Sequence, residues 1–148
     1  FCCLGSTGKY DKNIQYAAHY HYPLLAAKLA VHLKIPHYSL VSAIKADKGS
    51  MFYLQRIKGE LEEELKLLGF SYLTISKPGP IYNGRQNNAV WSFVMKIIQF
   101  APTIDCFDFV RALRMDAELK VEKPDSKAVA VYFVDDLKQI ARNNVFPN

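Results

Sequence analysis

Short apolar runs and longer amphipathic runs alternate along this chain of 148 residues. The short runs are rich in Val, Leu, Ile and Tyr, which is typical of buried parallel strands. The longer runs repeat apolar residues every three or four positions, which indicates helices. The pattern predicts strands at residues 1–4, 37–43, 70–76 and 128–133, and helices at residues 22–34, 51–68, 89–100, 107–119 and 135–142.

Proline and glycine mark where several of these elements end. Pro36 ends the first predicted helix, and Gly69 stands where the left-handed cap of the helix at residues 51–68 belongs. Strands that alternate with helices are joined by right-handed parallel crossovers, with helices on both faces of the sheet. The sequence therefore predicts an α/β fold, a Rossmann-like doubly wound parallel sheet in a single domain.

The composition is that of a globular protein with a hydrophobic core. Half of the residues are apolar and 13% are aromatic, which excludes a disordered chain. Three Cys residues are too few for a disulfide framework, so we expect a reducing compartment, the cytoplasm. Lys96 and Pro102 interrupt the longest apolar stretch, and we expect no membrane span. The chain starts with Phe1 inside a predicted strand, and we expect its beginning to be missing.

Charge and metal-ligand patterns suggest no further chemistry. Lys and Arg total 19 against 14 acidic residues, but they are scattered, so we expect no nucleic-acid partner. His19 and His21 lack a third ligand at a suitable spacing, and no Cys-x-x-Cys pair occurs, so no metal site is predicted. We interpret the glutamates at 60 and 62–64 as the solvent-exposed face of a helix, with Glu62 pairing with Lys66.

One set of residues has the order that carbonyl reduction requires. Ser42 ends a predicted strand, and Tyr53 and Lys58 follow at the start of the next helix. A hydroxyl can hold the substrate oxygen, a phenol can exchange a proton with it, and a nearby ammonium lowers the pKa of that phenol. The alternatives are that Ser42 satisfies a backbone group at the strand end and that Tyr53 covers the helix start.

Five segments of the chain carry a specific resemblance to a known family. They are FCCLG at residues 1–5, VSAIKAD at 41–47, YLQ at 53–55, KGELE at 58–62 and KPGPI at 77–81. From residue 1 to about residue 85, the chain resembles the atypical short-chain dehydrogenases of the Tat-interacting oxidoreductase type.

The resemblance implies a Rossmann-fold oxidoreductase that binds NADPH and transfers a hydride to or from a carbonyl or alcohol substrate. Residues 1–100 would form the C-terminal part of the cofactor-binding domain, and residues 101–148 its substrate-side helices and closing strand–helix pair. The catalytic residues implied are Ser42, Tyr53 and Lys58, the last two also contacting the cofactor, together with cofactor-binding residues Leu4, Gly5, Pro78, Gly79, Ile81 and Arg85.

The chain also departs from the pattern of that family. Tyr53 and Lys58 are five positions apart instead of four, so on a regular helix they are rotated by about 140° from each other. A π-bulge, or a helix that begins after Tyr53, would restore their contact. Lys77 replaces the usual Arg, and no glycine-rich phosphate loop is found. The alternative hypothesis is a catalytically silent Rossmann-like protein that acts through protein partners.

Overall fold

Helices and parallel strands alternate in the computed structural model, which describes residues 1–6, 11–82, 103–122 and 128–142. The helical elements are α1 (Lys12–Tyr16), a π-helical segment (Ala17–His21), α2 (Tyr22–His32), α3 (Tyr53–Leu67), α4 (Cys106–Glu122) and α5 (Val134–Arg142). The strands are β1 (His37–Val41), β2 (Tyr72–Lys77), β3 (Ile81–Tyr82), β4 (Ile104–Asp105) and β5 (Ala128–Phe133).

The main sheet has the order β1-β2-β5, and both strand pairs are parallel. Cys2 adds a parallel bridge to Leu40, so the start of the chain lies along the other edge of β1. The carboxyl ends of these segments therefore lie at one edge of the sheet. This architecture confirms the predicted α/β fold.

Helices pack on both faces of the sheet because successive side chains of each strand alternate between faces. On one face, Leu40, Leu73 and Ile75 join a buried cluster with Leu61 and Leu65 of α3. On the opposite face, a second cluster consists mainly of residues from α4 and α5: Ile104, Phe109, Ala112, Leu113, Val134, Leu137 and Ala141.

The first helical segment begins ten residues earlier than the pattern predicted. Asp11 caps it by accepting a hydrogen bond from the Asn13 N–H at 2.7 Å. The Tyr22 N–H donates to the Ala17 carbonyl, five residues back, just before Pro23. Pro23 has no N–H to donate, and it lies in the first turn of α2, directly after this wider turn.

The strand predicted at residues 1–4 is reduced to the single bridge at Cys2, and the remaining boundaries agree with the prediction to within a few residues. Gly69 has φ +76°, which confirms the predicted left-handed cap. The two-residue strands β3 and β4 pair with each other and were not predicted. The helix predicted at residues 89–100 lies outside the described residues. Within the described ranges, the helices are too short or too polar to cross a membrane.

A buried polar cluster connects the sheet to α4. Asp116, which is only 3% exposed, accepts hydrogen bonds from the Thr74 hydroxyl at 2.5 Å and the Tyr132 hydroxyl at 2.9 Å. His37 Nε2 lies 3.0 Å from the Thr74 hydroxyl and 3.7 Å from Asp116 Oδ2. Burial, reinforced by the Asp116 charge, raises the pKa of Tyr132 to about 12, so its phenol remains a donor.

We expect Asp116→Ala to lower the free energy of unfolding by about 3 kcal/mol, because the buried Thr74 hydroxyl and the partly buried Tyr132 hydroxyl lose their acceptor. Urea denaturation of the purified protein measures this. Glu118→Ala is the matched control on the same helix, since Glu118 forms an exposed ion pair with Arg114, worth at most about 1 kcal/mol. Equal losses in the two variants would contradict the role of the cluster.

We expect the free energy of unfolding to decrease as the pH falls from about 7 to about 5. Burial lowers the pKa of His37, although Asp116 opposes the shift, and burial also lowers the pKa of His19. The unfolded chain, with a His pKa of about 6.5, then binds more protons than the folded chain. The stability is present above that pKa and is lost as the pH falls through the folded pKa.

Denaturation across this pH range should show a smaller decrease in stability for His37→Gln than for the wild type. His32→Gln, a change on the exposed side of α2, serves as the control. A stability that increased on acidification would show that the Asp116 interaction outweighs the burial of His37.

Candidate functional site

Ser42 lies immediately after β1 at the carboxyl edge of the sheet. Its N–H donates to the Ser76 carbonyl at 2.8 Å, which extends the pairing between β1 and β2 by one residue. Its side chain is nearly buried, with 7% of the residue exposed. The Ser42 hydroxyl donates to Oε1 of Glu62 in α3. The hydroxyl therefore bonds a side chain from another element, not a backbone group of its own strand.

Glu62 is 4% exposed, and its second carboxylate oxygen also has a partner. Its Oε2 lies 2.7 Å from Lys77 Nζ, and Lys77 also donates to the Ala46 carbonyl at 3.2 Å. A buried carboxylate requires such a partner, because an unpaired charge is very costly to bury. Ser42, Glu62 and Lys77 thus form one hydrogen-bonded chain, which we call the Ser42–Glu62–Lys77 chain.

The interpretation of Glu62 as part of the solvent-exposed helix face was wrong. Lys66 pairs with Glu63 at 2.6 Å, three positions away, and not with Glu62. Glu62 follows the buried residue Leu61 and is four positions after Lys58, which places it at the border of the apolar stripe of α3. That border position was the signal in the sequence that Glu62 could be buried. The partners of Glu62, at the ends of β1 and β2, come close to it only in the folded chain.

Lys58 projects to the same strand end as Ser42. Its Nζ donates to the Val41 carbonyl at 3.4 Å, directly before Ser42 in the chain. The side chain is half-buried, and burial lowers the pKa of Lys58 while the nearby Cys2 and Glu62 oppose that shift. The structure therefore brings Ser42 and Lys58 together at the end of β1.

Tyr53 has different partners from the other two predicted catalytic residues. It is the first residue of α3, and its hydroxyl donates to the Lys12 carbonyl at 3.0 Å. Lys12 Nζ and the Arg56 guanidinium lie 5.7 and 5.9 Å from its ring centroid. In the described residues, no hydrogen bond joins Tyr53 to Ser42 or Lys58. A π-helical segment occurs at Ala17–His21, whereas α3 is α-helical throughout.

Gly59 allows α3 to lie directly against the loop that follows Ser42. A Cβ at this position would lie 2.3 Å from the Asp47 carbonyl carbon and from the Lys48 nitrogen. The Asp47 N–H also donates to the Gln55 carbonyl at 3.1 Å. Any side chain here would push the helix away, so Gly59 fixes the positions of Lys58 and Glu62 relative to that loop.

Leu4 and Gly5 lie next to a buried histidine. A Cβ on Gly5 would lie 3.0 Å from His19 Cε1, while Leu4 is exposed. The Ser6 N–H donates to His19 Nε2 at 3.1 Å, and burial lowers the pKa of His19. Within the described part of the chain, the buried atoms Ser6 Oγ and His19 Nδ1 have no hydrogen-bond partner.

The predicted cofactor-binding residues after β2 lie just before and at the start of β3, which pairs with β4 in a second, small sheet. Pro78 is buried and Gly79 half-buried, and Ile81 in β3 pairs with Ile104 in β4. Arg85 lies outside the described residues. Among residues 1–6, 11–82, 103–122 and 128–142, no group of three or more His, Cys, Asp or Glu residues could hold a metal ion.

Parts of this sequence are similar to curated proteins, although no family model matches it. The mitochondrial protein fmp52 of Aspergillus niger is 44% identical over 59 residues, which are 40% of this chain and 25% of that protein. The protein HTATIP2 of Rattus norvegicus is 35% identical over 89 residues, which are 60% of this chain and 37% of that protein. The matched segments thus span well under half of these relatives.

Solved structures show the same fold at low sequence identity. A putative NAD-dependent epimerase/dehydratase from Bacillus halodurans superposes with a TM-score of 0.61 at 15% identity, covering 91% of this chain and 66% of that structure. A UDP-galactose 4-epimerase superposes with a TM-score of 0.59 at 12% identity, covering 89% and 54%. The chain is therefore a homologue of HTATIP2 and the fmp52 proteins that shares the fold of these two solved structures, which confirms the resemblance found in its sequence.

Proposed function

We propose that this protein is an NADPH-dependent oxidoreductase that transfers a hydride to or from a carbonyl or alcohol substrate. The observation that carries the proposal is the meeting of Ser42 and Lys58 at the carboxyl end of β1. Doubly wound sheets bind their ligands at this edge. The fold shared with an NAD-dependent epimerase/dehydratase supports a nicotinamide nucleotide as the cofactor.

The described residues fit the nicotinamide-ribose part of such a cofactor. The Lys58 ammonium has three hydrogens, and the Val41 carbonyl accepts one of them at 3.4 Å, which leaves donors for ribose hydroxyls. Near Gly5, Ser6 Oγ and His19 Nδ1, which have no hydrogen-bond partner among the described residues, offer further polar contacts. A ligand at this edge would satisfy these buried atoms, whose unpaired state otherwise costs free energy.

Each predicted residue has a role in this proposal. A bound nicotinamide nucleotide supplies a hydride when reduced and accepts one when oxidised. Lys58 would hold the ribose hydroxyls, Ser42 would hold the substrate oxygen, and Tyr53 would exchange a proton with it. For this role, the Tyr53 hydroxyl must give up its bond to the Lys12 carbonyl. The residues proposed to line the cofactor are Leu4, Gly5, Pro78, Gly79, Ile81 and Arg85.

The substrate class follows from this chemistry, whereas the substrate itself does not. We propose a small molecule with a carbonyl or secondary alcohol group, contacted by residues 101–148, and no nucleic-acid partner. The proposed compartment is the cytoplasm. Since the fmp52 relatives are named as mitochondrial proteins, the mitochondrion is the alternative.

A second candidate function is that of a catalytically silent protein that acts through protein partners. The observation that favours it is the Tyr53 hydroxyl, which bonds the Lys12 carbonyl and not the site at the end of β1. Binding of NADPH and turnover distinguish the two candidates.

Lys58→Met in the full-length protein should weaken NADPH binding by at least about tenfold, because hydrogen bonds from a charged group are lost. Fluorescence titration with NADPH measures the dissociation constant. Lys66→Met is the matched control, since Lys66 is on the same helix and pairs with Glu63 at the surface. Equal affinity in wild type and Lys58→Met would remove Lys58 from the cofactor site, and a wild type without NADPH affinity would favour the second candidate.

Tyr53→Phe should lower kcat for NADPH-dependent carbonyl reduction by about 100-fold, the usual contribution of one acid–base group. The dissociation constant for NADPH should remain within about twofold of the wild-type value, because the ring is retained. Tyr22→Phe, at an exposed position of α2, controls for the loss of a hydroxyl. Unchanged turnover in Tyr53→Phe would exclude Tyr53 from proton transfer.

A further inference from the structure

We propose that Glu62 is a second proton acceptor and donor of the reaction, which reaches the substrate through the Ser42 hydroxyl. This inference rests on the proposed oxidoreductase function and deepens it. Two observations carry it: the hydrogen bond that Ser42 donates to Glu62, and a cavity that Glu62 lines and Ser42 does not.

The bond between Ser42 and Glu62 determines what Ser42 can offer a ligand. A serine hydroxyl has one hydrogen and two lone pairs, and the hydrogen of Ser42 is donated to Oε1 of Glu62. Ser42 therefore presents only acceptor positions toward a substrate. The group that it binds best is a hydroxyl, which is the alcohol form of the substrate.

This arrangement allows a proton relay during alcohol oxidation. The substrate O–H bond breaks and its proton bonds to Ser42 Oγ, while the original Ser42 proton moves to Glu62 Oε1. The substrate C–H bond breaks at the same carbon, its electron pair leaves as a hydride to the oxidised nicotinamide nucleotide, and a C=O bond forms. Carbonyl reduction is the reverse, with Glu62 returning the proton through Ser42.

The proposed relay can exchange its proton with water in a cavity beside Glu62. A cavity of about 300 Å³ adjoins Glu62, and its lining includes Ala46, Lys48, Gly59 and Lys77. Ser42 is not among the lining residues, so water in this cavity can exchange a proton with Glu62 without passing Ser42. Lys77 Nζ lies 2.7 Å from Oε2, and the Ser42 hydroxyl donates to Oε1. The two carboxylate oxygens therefore have different partners.

Several charged groups lie around Glu62. Those on other elements, or near it on α3 itself, are Lys58, Lys77, Asp47, Lys48, Glu63 and Lys66. Lys77 bonds it directly, and Lys66 is engaged with Glu63 at the surface. Glu63→Gln is thus a matched control for Glu62→Gln, because it makes the same change one position along the helix on an exposed side chain.

The first experiment tests the Ser42–Glu62 bond without any assay of activity. A double-mutant cycle combines Ser42→Ala and Glu62→Gln and measures unfolding in urea. The coupling between the two changes should alter the unfolding equilibrium constant by about tenfold or more, as expected for a hydrogen bond to a charged group. A coupling below about twofold overturns the proposal. Ser42→Ala with Glu63→Gln should show no coupling.

The second experiment measures oxidation of 1-phenylethanol, cyclohexanol and 2-octanol with NADP⁺ by the full-length protein. Tyr53→Phe should retain turnover that falls as the pH is lowered, because the Glu62 carboxylate takes up the proton. Adding Glu62→Gln should lower this remaining kcat by about another 100-fold and remove its pH dependence. Adding Glu63→Gln should leave both unchanged.

The outcomes separate the relay from the proposed function. If Tyr53→Phe/Glu62→Gln has the turnover and pH profile of Tyr53→Phe, the relay is wrong while the oxidoreductase assignment stands. If the wild type binds no NADPH, or oxidises none of the three alcohols, the proposed function fails and the relay fails with it. A loss of kcat with unchanged pH dependence would mean that Glu62 acts only on structure, which also overturns the relay.

Discussion

The ion pair between Glu62 and Lys77 is the contact on which the candidate site depends, because it allows a carboxylate to lie buried at the end of β1. Removing a charge from water costs roughly several kcal/mol. Only a close partner with further hydrogen bonds offsets this cost. Lys77 provides the charge at 2.7 Å, and the Ser42 hydroxyl provides the hydrogen bond. The ion pair also connects α3 to the central strand β2, so the helix that carries Lys58 is held against the strand end that carries Ser42.

The central strand β2 positions this edge from both faces of the sheet. Lys77 bonds Glu62 of α3 on one face, and Thr74 bonds Asp116 of α4 on the other. Both partners are buried carboxylates, and both lie on helices that also contribute apolar side chains to a core cluster. Apolar packing holds the layers together without specifying their register, whereas a hydrogen bond specifies a distance and a direction. The two carboxylates therefore fix how the helices lie along β2.

The start of α3 explains why Tyr53 and Lys58 have separate partners. Five positions along a regular helix separate side chains by about 140°, and no π-turn within α3 compensates for the extra residue. The ammonium consequently reaches the Val41 carbonyl, while the phenol reaches the Lys12 carbonyl at the start of the first helical segment. The Ser42 hydroxyl thus contacts the Glu62 carboxylate and not the Tyr53 phenol. The position of Glu62 in the sequence does not suggest this contact.

The sequence was sufficient to predict the features that depend on local order. Alternation of strands and helices indicated the parallel α/β sheet, and Gly69 indicated the left-handed cap. It was not sufficient for Glu62, whose neighbours in sequence are a buried leucine and further glutamates. The partners of Glu62 lie 20 positions before it and 15 after it. Periodicity records which face of a helix is apolar, but the pairing of a buried charge depends on atoms that only the folded chain brings within hydrogen-bond distance.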